Sequence, residues 1–278
     1  MRLSISNIAW DPAEDEGIAQ LLQRFDVDAI DIAPGKYFPD PEKATDQDIN
    51  RVKRWWSERG IAITGMQALL FGTSGLNVFG PHNSQRAMLE HLSAVCRIGA
   101  LLGSTRLVFG SPKNRDRSGL SDHEATDIAI PFFQRLGDIA HSSGVEICLE
   151  PNPVRYGANF MTTSKETAQL VRSIAHPAIR MQFDTGALNI NGENPKEVLE
   201  DYAPLIGHTH ASEPDLLPLG EGGTDHANVF KALKQYLPSQ VVTIEMLATK
   251  TEPHNASIER ALKFAIHFYR DNEGGTRQ

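Results

Sequence analysis

Short apolar or β-branched runs recur along the chain at 3–8, 29–33, 62–68, 105–110, 146–150, 180–184, 207–210 and 241–245. Each closes on a polar or Gly/Pro cluster, and a segment follows in which apolar residues return every three to four positions. These segments predict helices near 13–25, 46–59, 83–102, 122–143, 163–175, 195–201, 226–236 and 255–270. Helix boundaries carry matching chemistry. Thr45-Asp46 and Thr163-Ser164 offer side-chain oxygens to free N-terminal amides, and Gly60, Gly103 and Gly144 stand where helices end and strands begin. The stripe Leu92, Val95, Ile98 and Leu102, with Cys96 beside it, gives the third helix a face to pack inward.

Eight strand–helix units of about 35 residues each imply a parallel sheet with helical crossovers. Right-handed units of this number close most naturally into a single-domain α/β fold, a (β/α)8 TIM barrel. An open doubly wound sheet would want Gly-x-Gly-x-x-Gly after the first strand, and Asn7-Ile8-Ala9-Trp10-Asp11-Pro12 stands there instead. The barrel is expected over 1–272, with 273–278 a flexible tail.

Composition narrows the function. The 278 residues are 40% hydrophobic and 22% charged, an ordinary globular balance, and 27 Lys+Arg against 35 Asp+Glu leave a net charge of −8. A nucleic-acid partner would demand a basic face, so none is expected. Cys96 and Cys148 fall in core-like runs and cannot make a disulfide framework or a thiolate zinc site. No basic stretch leads into a long apolar one at the N-terminus, and nowhere do about 18 apolar residues run together, so neither export nor membrane insertion is expected. The expectation is a cytoplasmic protein.

In a barrel of this kind chemistry gathers where strands run out. The last four predicted strands end in Glu150, Asp184, His210 and Glu245, spaced by 34, 26 and 35 residues, each near one unit. The spacing predicts one height and a common centre for all four. One such carboxylate alone usually caps a helix or pairs with a cation. Three of them converging in a water-poor barrel mouth would repel one another and raise their pKa values unless a cation neutralised them. Three carboxylates and one imidazole make an ordinary shell for one divalent ion, with Mn²⁺, Mg²⁺ or Co²⁺ favoured by the oxygens and Zn²⁺ also compatible.

These residues, within Leu149-Glu150-Pro151-Asn152-Pro153, Asp184-Thr185-Gly186 and His208-Thr209-His210-Ala211-Ser212-Glu213-Pro214, resemble the xylose-isomerase-like sugar phosphate isomerase/epimerase superfamily. Within it the chain is most similar to the ketose 3-epimerases of the D-tagatose and D-psicose group. The resemblance implies one divalent ion, Mn²⁺ first, held by Glu150, Asp184, His210 and Glu245, with Glu150 and Glu245 also acting as acid and base around an enediolate. It implies a homodimer or homotetramer acting on a small sugar or polyol. The chemistry is self-consistent: a metal stabilises the oxyanion formed on proton removal α to a carbonyl, and two carboxylates remove and return the proton. Two positions depart from the group. Ala187 stands where many relatives have His, and the chain reads Glu213-Pro214-Asp215-Leu216-Leu217 where the epimerases have an Arg a few residues after the strand-seven His. The reaction class therefore carries over further than the substrate. Alternatives are a dehydratase of inosose or dehydroshikimate type, a non-catalytic sugar-binding barrel and an endonuclease-like barrel, the last disfavoured by the missing basic surface.

Other residues complete the expected site. Lys113, in the basic loop Ser111–Arg117, is a candidate grip for a phosphate or carboxylate. Asn152, Tyr156 and Phe160 belong to a loop that could cover a small substrate, and Trp10 and Phe71 are candidate apolar walls. Asp225 reads as a helix N-cap, and His226 as either the first helical residue or a substrate contact. Strand alternation puts His208 and Gln182 one layer beneath His210 and Asp184 as supporting groups, with Cys148 as small core filling beneath Glu150.

Overall fold

A computed structural model of the chain describes residues 1–270. The tail expected at 273–278 lies outside the described residues. Eight parallel strands, β1 (Leu3–Ser6), β2 (Ala29–Ile32), β3 (Ala62–Met66), β4 (Arg106–Phe109), β5 (Glu146–Leu149), β6 (Ile179–Asp184), β7 (Ile206–Ser212) and β8 (Val242–Glu245), pair in sequence order, and β8 returns to β1. The barrel is therefore closed and the expected fold is correct.

Helices α1 (Asp15–Arg24), α2 (Asp46–Ser57), α3 (His82–Leu102), α4 (Asp122–Ser142) and α5 (Ser164–Ile174) cover the first five crossovers. Then come α6 (Thr185–Asn191), α7 (Pro195–Tyr202), α8 (His226–Tyr236) and α9 (His254–Tyr269). The stripe Leu92, Val95, Ile98 and Leu102 is buried against the strands, as the helical period requires. Thr45 and Thr163 cap α2 and α5 through Asp48 N at 3.2 Å and Glu166 N at 3.1 Å. Gly60, Gly103 and Gly144 all take positive φ, the left-handed conformation that ends a helix cheaply only at glycine. Among the described residues, no helix is long and apolar enough to cross a membrane.

Two differences from the expected elements bear on the site. Helix α6 has no counterpart among the predicted segments. It begins directly after Asp184, whose side chain accepts the Ala187 amide at 2.6 Å as its N-cap, so no loop signal separates strand from helix. Strand β7 runs further than expected, to Ser212, and its pairing with β6 slips by one residue: Met181 faces Ile206, yet Gln182 faces His208. Gly207 is the extra residue. A Cβ there would come within 2.9 Å of both Arg180 Cβ and Cys148 Sγ, so only glycine fits.

Candidate active site

Glu150, Asp184, His210 and Glu245 converge at the C-terminal mouth of the barrel. Each contributes one donor atom to a group lying within 4.8 Å of one another. Nδ1 of the fully buried His210 is the hub, 3.3 Å from Glu245 Oε2, 3.5 Å from Glu150 Oε1 and 3.8 Å from Asp184 Oδ2. The predicted common height is only partly realised in the strand register: Asp184 faces His210 directly, whereas Glu245 faces Ser212, one pleat further on. The tilt of the strands around the barrel offsets that difference and brings the side chains together.

Each carboxylate is held from outside the cluster. Asp184 Oδ1 accepts the Ala187 amide at 2.6 Å, and Oδ2 accepts Ser212 Oγ at 2.8 Å. Glu150 Oε2 accepts Asn152 Nδ2 at 2.9 Å, and Glu245 Oε1 accepts Gln67 Nε2 at 2.6 Å. The two glutamates are thus arranged alike, one oxygen towards His210 and the other on a side-chain amide. Gly110 makes room for one of them, since a Cβ there would lie 2.0 Å from Glu150 Oε2.

The electrostatics identify what this group can hold. Burial first, then the Glu245 and Glu150 charges, push the Asp184 carboxyl up to about 8. Burial alone would depress the His210 imidazole, but Glu245 and Glu150 lift it well above its ordinary value. Burial also opposes the charge of Glu245, and His210 and Gln67 outweigh it to keep that carboxyl below the usual range. With no cation, the cluster can relieve its repulsion only by retaining protons. One imidazole and three carboxylates with preset orientations fit a single divalent ion chemically, and the restrained oxygens supply the supporting contacts such a site needs.

Two cavities flank the group and share Glu150, Glu245, Leu216 and Leu247. One, of about 460 Å³, is walled by Ala33, Lys36, Gln67, Phe71 and Val108. The other, of about 440 Å³, reaches Asn152, Tyr156, Asp184 and Glu213. A larger groove of about 580 Å³ over α5 contains none of the four clustered residues, so size alone does not locate the chemistry.

The structure sorts the remaining candidates. Asn152 and Tyr156 line the second cavity, and Tyr156 OH accepts the Asp215 amide at 2.7 Å. Phe71 stands 85% exposed at the rim of the first cavity. Phe160 is buried, edge-on to Phe79, and not a cover for either cavity. Trp10 is also not a substrate wall: it is fully buried, donates to Asp15 Oδ1 at 2.8 Å and packs edge-on against Trp56. Lys113 is exposed and lines neither cavity, because the short turn Pro112–Arg115 directs Arg115 inward instead. Arg115 is fully buried and donates to the Glu150 carbonyl at 2.7 Å. His226 is not free for a substrate either, being bonded to Tyr269 OH at 2.5 Å and Glu213 Oε1 at 3.1 Å. Asp225 caps α8 through the Asn228 amide at 3.0 Å.

His208 and Gln182 lie beneath the cluster, joined by a contact of 3.0 Å between His208 Nδ1 and the Gln182 side-chain amide. Sequence reasoning missed Gln67, Arg115 and Asp31. Asp31 is completely buried in the barrel with its Oδ2 2.7 Å from His208 Nε2. Burial opposes its charge, but the His208 contacts prevail and hold the carboxyl below its ordinary value. The one signal available was a charged residue inside the apolar run of β2.

Comparison with known proteins agrees with this architecture. The chain is 28% identical over 132 residues to the L-ribulose 3-epimerase of Methylomonas sp. (strain DH-1), covering 48% of this chain and 46% of that protein. It is 23% identical over 110 residues to the D-psicose 3-epimerase of Agrobacterium fabrum, covering 40% and 38%. The matched stretches thus span less than half the length of these relatives. A solved D-psicose 3-epimerase with D-tagatose from Clostridium cellulolyticum H10 superposes with a TM-score of 0.80 over 97% of this chain and all of that one, at 16% identity, which shows a shared fold. The family model described as xylose isomerase-like TIM barrel matches residues 19–268. The chain belongs to the xylose isomerase-like TIM barrel family.

Proposed function

We propose that the chain is a divalent-metal-dependent sugar epimerase or isomerase that moves a proton α to the carbonyl of a keto-sugar or related polyol. The matched setting of Glu150 and Glu245 carries this reading: one oxygen of each turned to His210, the other steadied by Asn152 or Gln67. The sequence similarity to two sugar 3-epimerases supports the same reaction class.

Glu150, Asp184, His210 and Glu245 would hold one ion, Mn²⁺ by the preference of an oxygen-rich set, and the ion when bound supplies Lewis-acid polarisation of the substrate's carbonyl and neighbouring hydroxyl oxygens. Asp184 has both oxygens restrained by Ala187 and Ser212, which suits it to holding rather than to proton transfer. Glu150 and Glu245 do the proton work, one taking the proton from carbon and the other returning one. Glu150 Oε2 and Glu245 Oε1 are the atoms placed for it, and the amides on them keep each carboxylate from rotating as its charge changes. Gln67 Oε1 is buried without a partner beside Glu245, an acceptor that a substrate hydroxyl would satisfy. Phe71, Leu216 and Leu247 shield the carbon skeleton from water.

The test is a screen of ketoses, aldoses and keto-inositols in D₂O, followed by NMR with Mn²⁺ and with chelator. Metal-dependent deuterium exchange at the carbon next to the carbonyl, without loss of water, is expected. Turnover that persists unchanged in chelator or in the E150Q/E245Q double variant would falsify the reading.

A further inference from the structure

We infer that Asp31, acting through His208 and Gln182, is a positioning residue that sets the orientation of His210 in the metal-holding group. The inference rests on the metal reading above and extends it to the interior of the barrel.

One carboxylate on β2 collects donors from four other strands. Asp31 Oδ2 accepts His208 Nε2 at 2.7 Å and Thr243 Oγ1 at 3.0 Å, while Oδ1 accepts Thr64 Oγ1 at 2.9 Å and Ser4 Oγ at 3.4 Å. Space is reserved for it as well. A Cβ at position 65 would fall 2.4 Å from Asp31 Oδ2, so Gly65 keeps that volume open. A fully buried carboxylate stabilises a fold no better than well-packed apolar side chains in the same volume. Four donors and a reserved space therefore point to orientation.

The orientation is passed on by hydrogen-bond polarity. With Nε2–H of His208 committed to Asp31, its Nδ1 is left as the acceptor. Turned so that both of its ends are satisfied, the Gln182 amide donates its nitrogen to that acceptor at 3.0 Å and accepts the His210 backbone amide on its oxygen at 3.3 Å, which leaves His210 Nδ1 to the ion. The two imidazoles pack edge to face with centroids 4.9 Å apart. Without Asp31, His208 can take either tautomer and the Gln182 amide can turn over. His210 would then lose the hydrogen bond that fixes its backbone, and with it the seat of its ring between His208 and the three carboxylates.

The experiment uses the full-length protein as wild type, D31N, Q182L and D31N/Q182L, titrated with Co²⁺ by calorimetry and visible absorption, with thermal melts in chelator alongside. We expect about 10- to 100-fold weaker Co²⁺ binding in each single variant, with a shifted Co²⁺ band. The double variant should be no weaker than the worse single, because one chain of contacts is cut at two places. A purely structural role would lower the melts and leave the Co²⁺ spectrum unchanged, overturning the inference. Wild-type affinity and spectra in all variants would overturn it too. If D31N does not fold, Q182L, close to the original in volume, decides alone. A wild-type protein that fails to bind Co²⁺ overturns the metal reading, and this one with it; variants that bind as wild type overturn this one only.

Discussion

Asp184 and His210 face each other directly across β6 and β7 because the pairing of these strands slips by one residue below them, at Gly207. Without the slip Asp184 would face Thr209, whose side chain points the other way, since neighbouring residues on a strand alternate in direction. The bulge thus does for the site what spacing along the chain could not.

Gly207→Ala should therefore act at a distance. Its Cβ would meet Arg180 and Cys148 at 2.9 Å, and overpacking of this kind costs about 1–3 kcal/mol. Denaturant unfolding should show the loss, and Mn²⁺ affinity should fall with it. A variant as stable as wild type that binds Mn²⁺ normally would mean that the register does not depend on this glycine.

Removing the amide that steadies Glu245 should damage turnover more than folding. Gln67→Leu is expected to lower kcat about 10- to 100-fold with the thermal midpoint nearly unchanged, in the manner of groups that orient a reacting carboxylate. Glu245→Gln should lower kcat further, by about 10²- to 10⁴-fold, the range for a lost general acid or base. Equal effects of the two variants on kcat would place the role in packing and not in proton transfer.

The three crowded carboxylates make stability depend on a cation. A divalent ion present at 100 times its dissociation constant should add about 2.7 kcal/mol to unfolding. Asp184→Asn replaces a carboxyl that, without metal, keeps its proton below about pH 8, so in chelator it should melt near wild type at pH 7 and above it at pH 9, and it should lose most of the gain from Mn²⁺. Calorimetric melts of both proteins with and without metal check this.

Glu213 ties the loop after β7 to α8. Burial would raise its carboxyl, but bonds from His226, Thr224 and Gly220 prevail and hold it at about 2, against an ordinary 4.5. A folded-state value below the unfolded one means stability that is full above about pH 4.5 and lost as pH falls towards 2. Glu213→Gln should melt lower than wild type at pH 7, and the gap should close towards pH 2. A gap independent of pH would locate the loss in shape and not in charge.

The amino-acid sequence by itself determined the eight strand–helix units, the closed barrel and the identity of the four clustered residues. Apolar periodicity and capping chemistry act over a few residues, and a regular unit length carries each strand end to the same face. Only the tertiary structure decided how those residues are held. Asp31 and His208 are 177 positions apart, and Gln67 and Glu245 are 178 apart, so neither pair leaves a local trace. For the same reason sequence reasoning puts Trp10 and Lys113 at the substrate site and leaves His226, which the structure makes the first residue of α8, open between helix start and substrate contact. Polar or aromatic character near a strand end does not say which way a side chain turns; that follows from partners such as Asp15, Tyr269 and Glu213, supplied by other parts of the fold. Helix α6 went unseen because one residue, Asp184, both ends a strand and caps a helix, and the bulge at Gly207 because register is set by contact across strands and not along them.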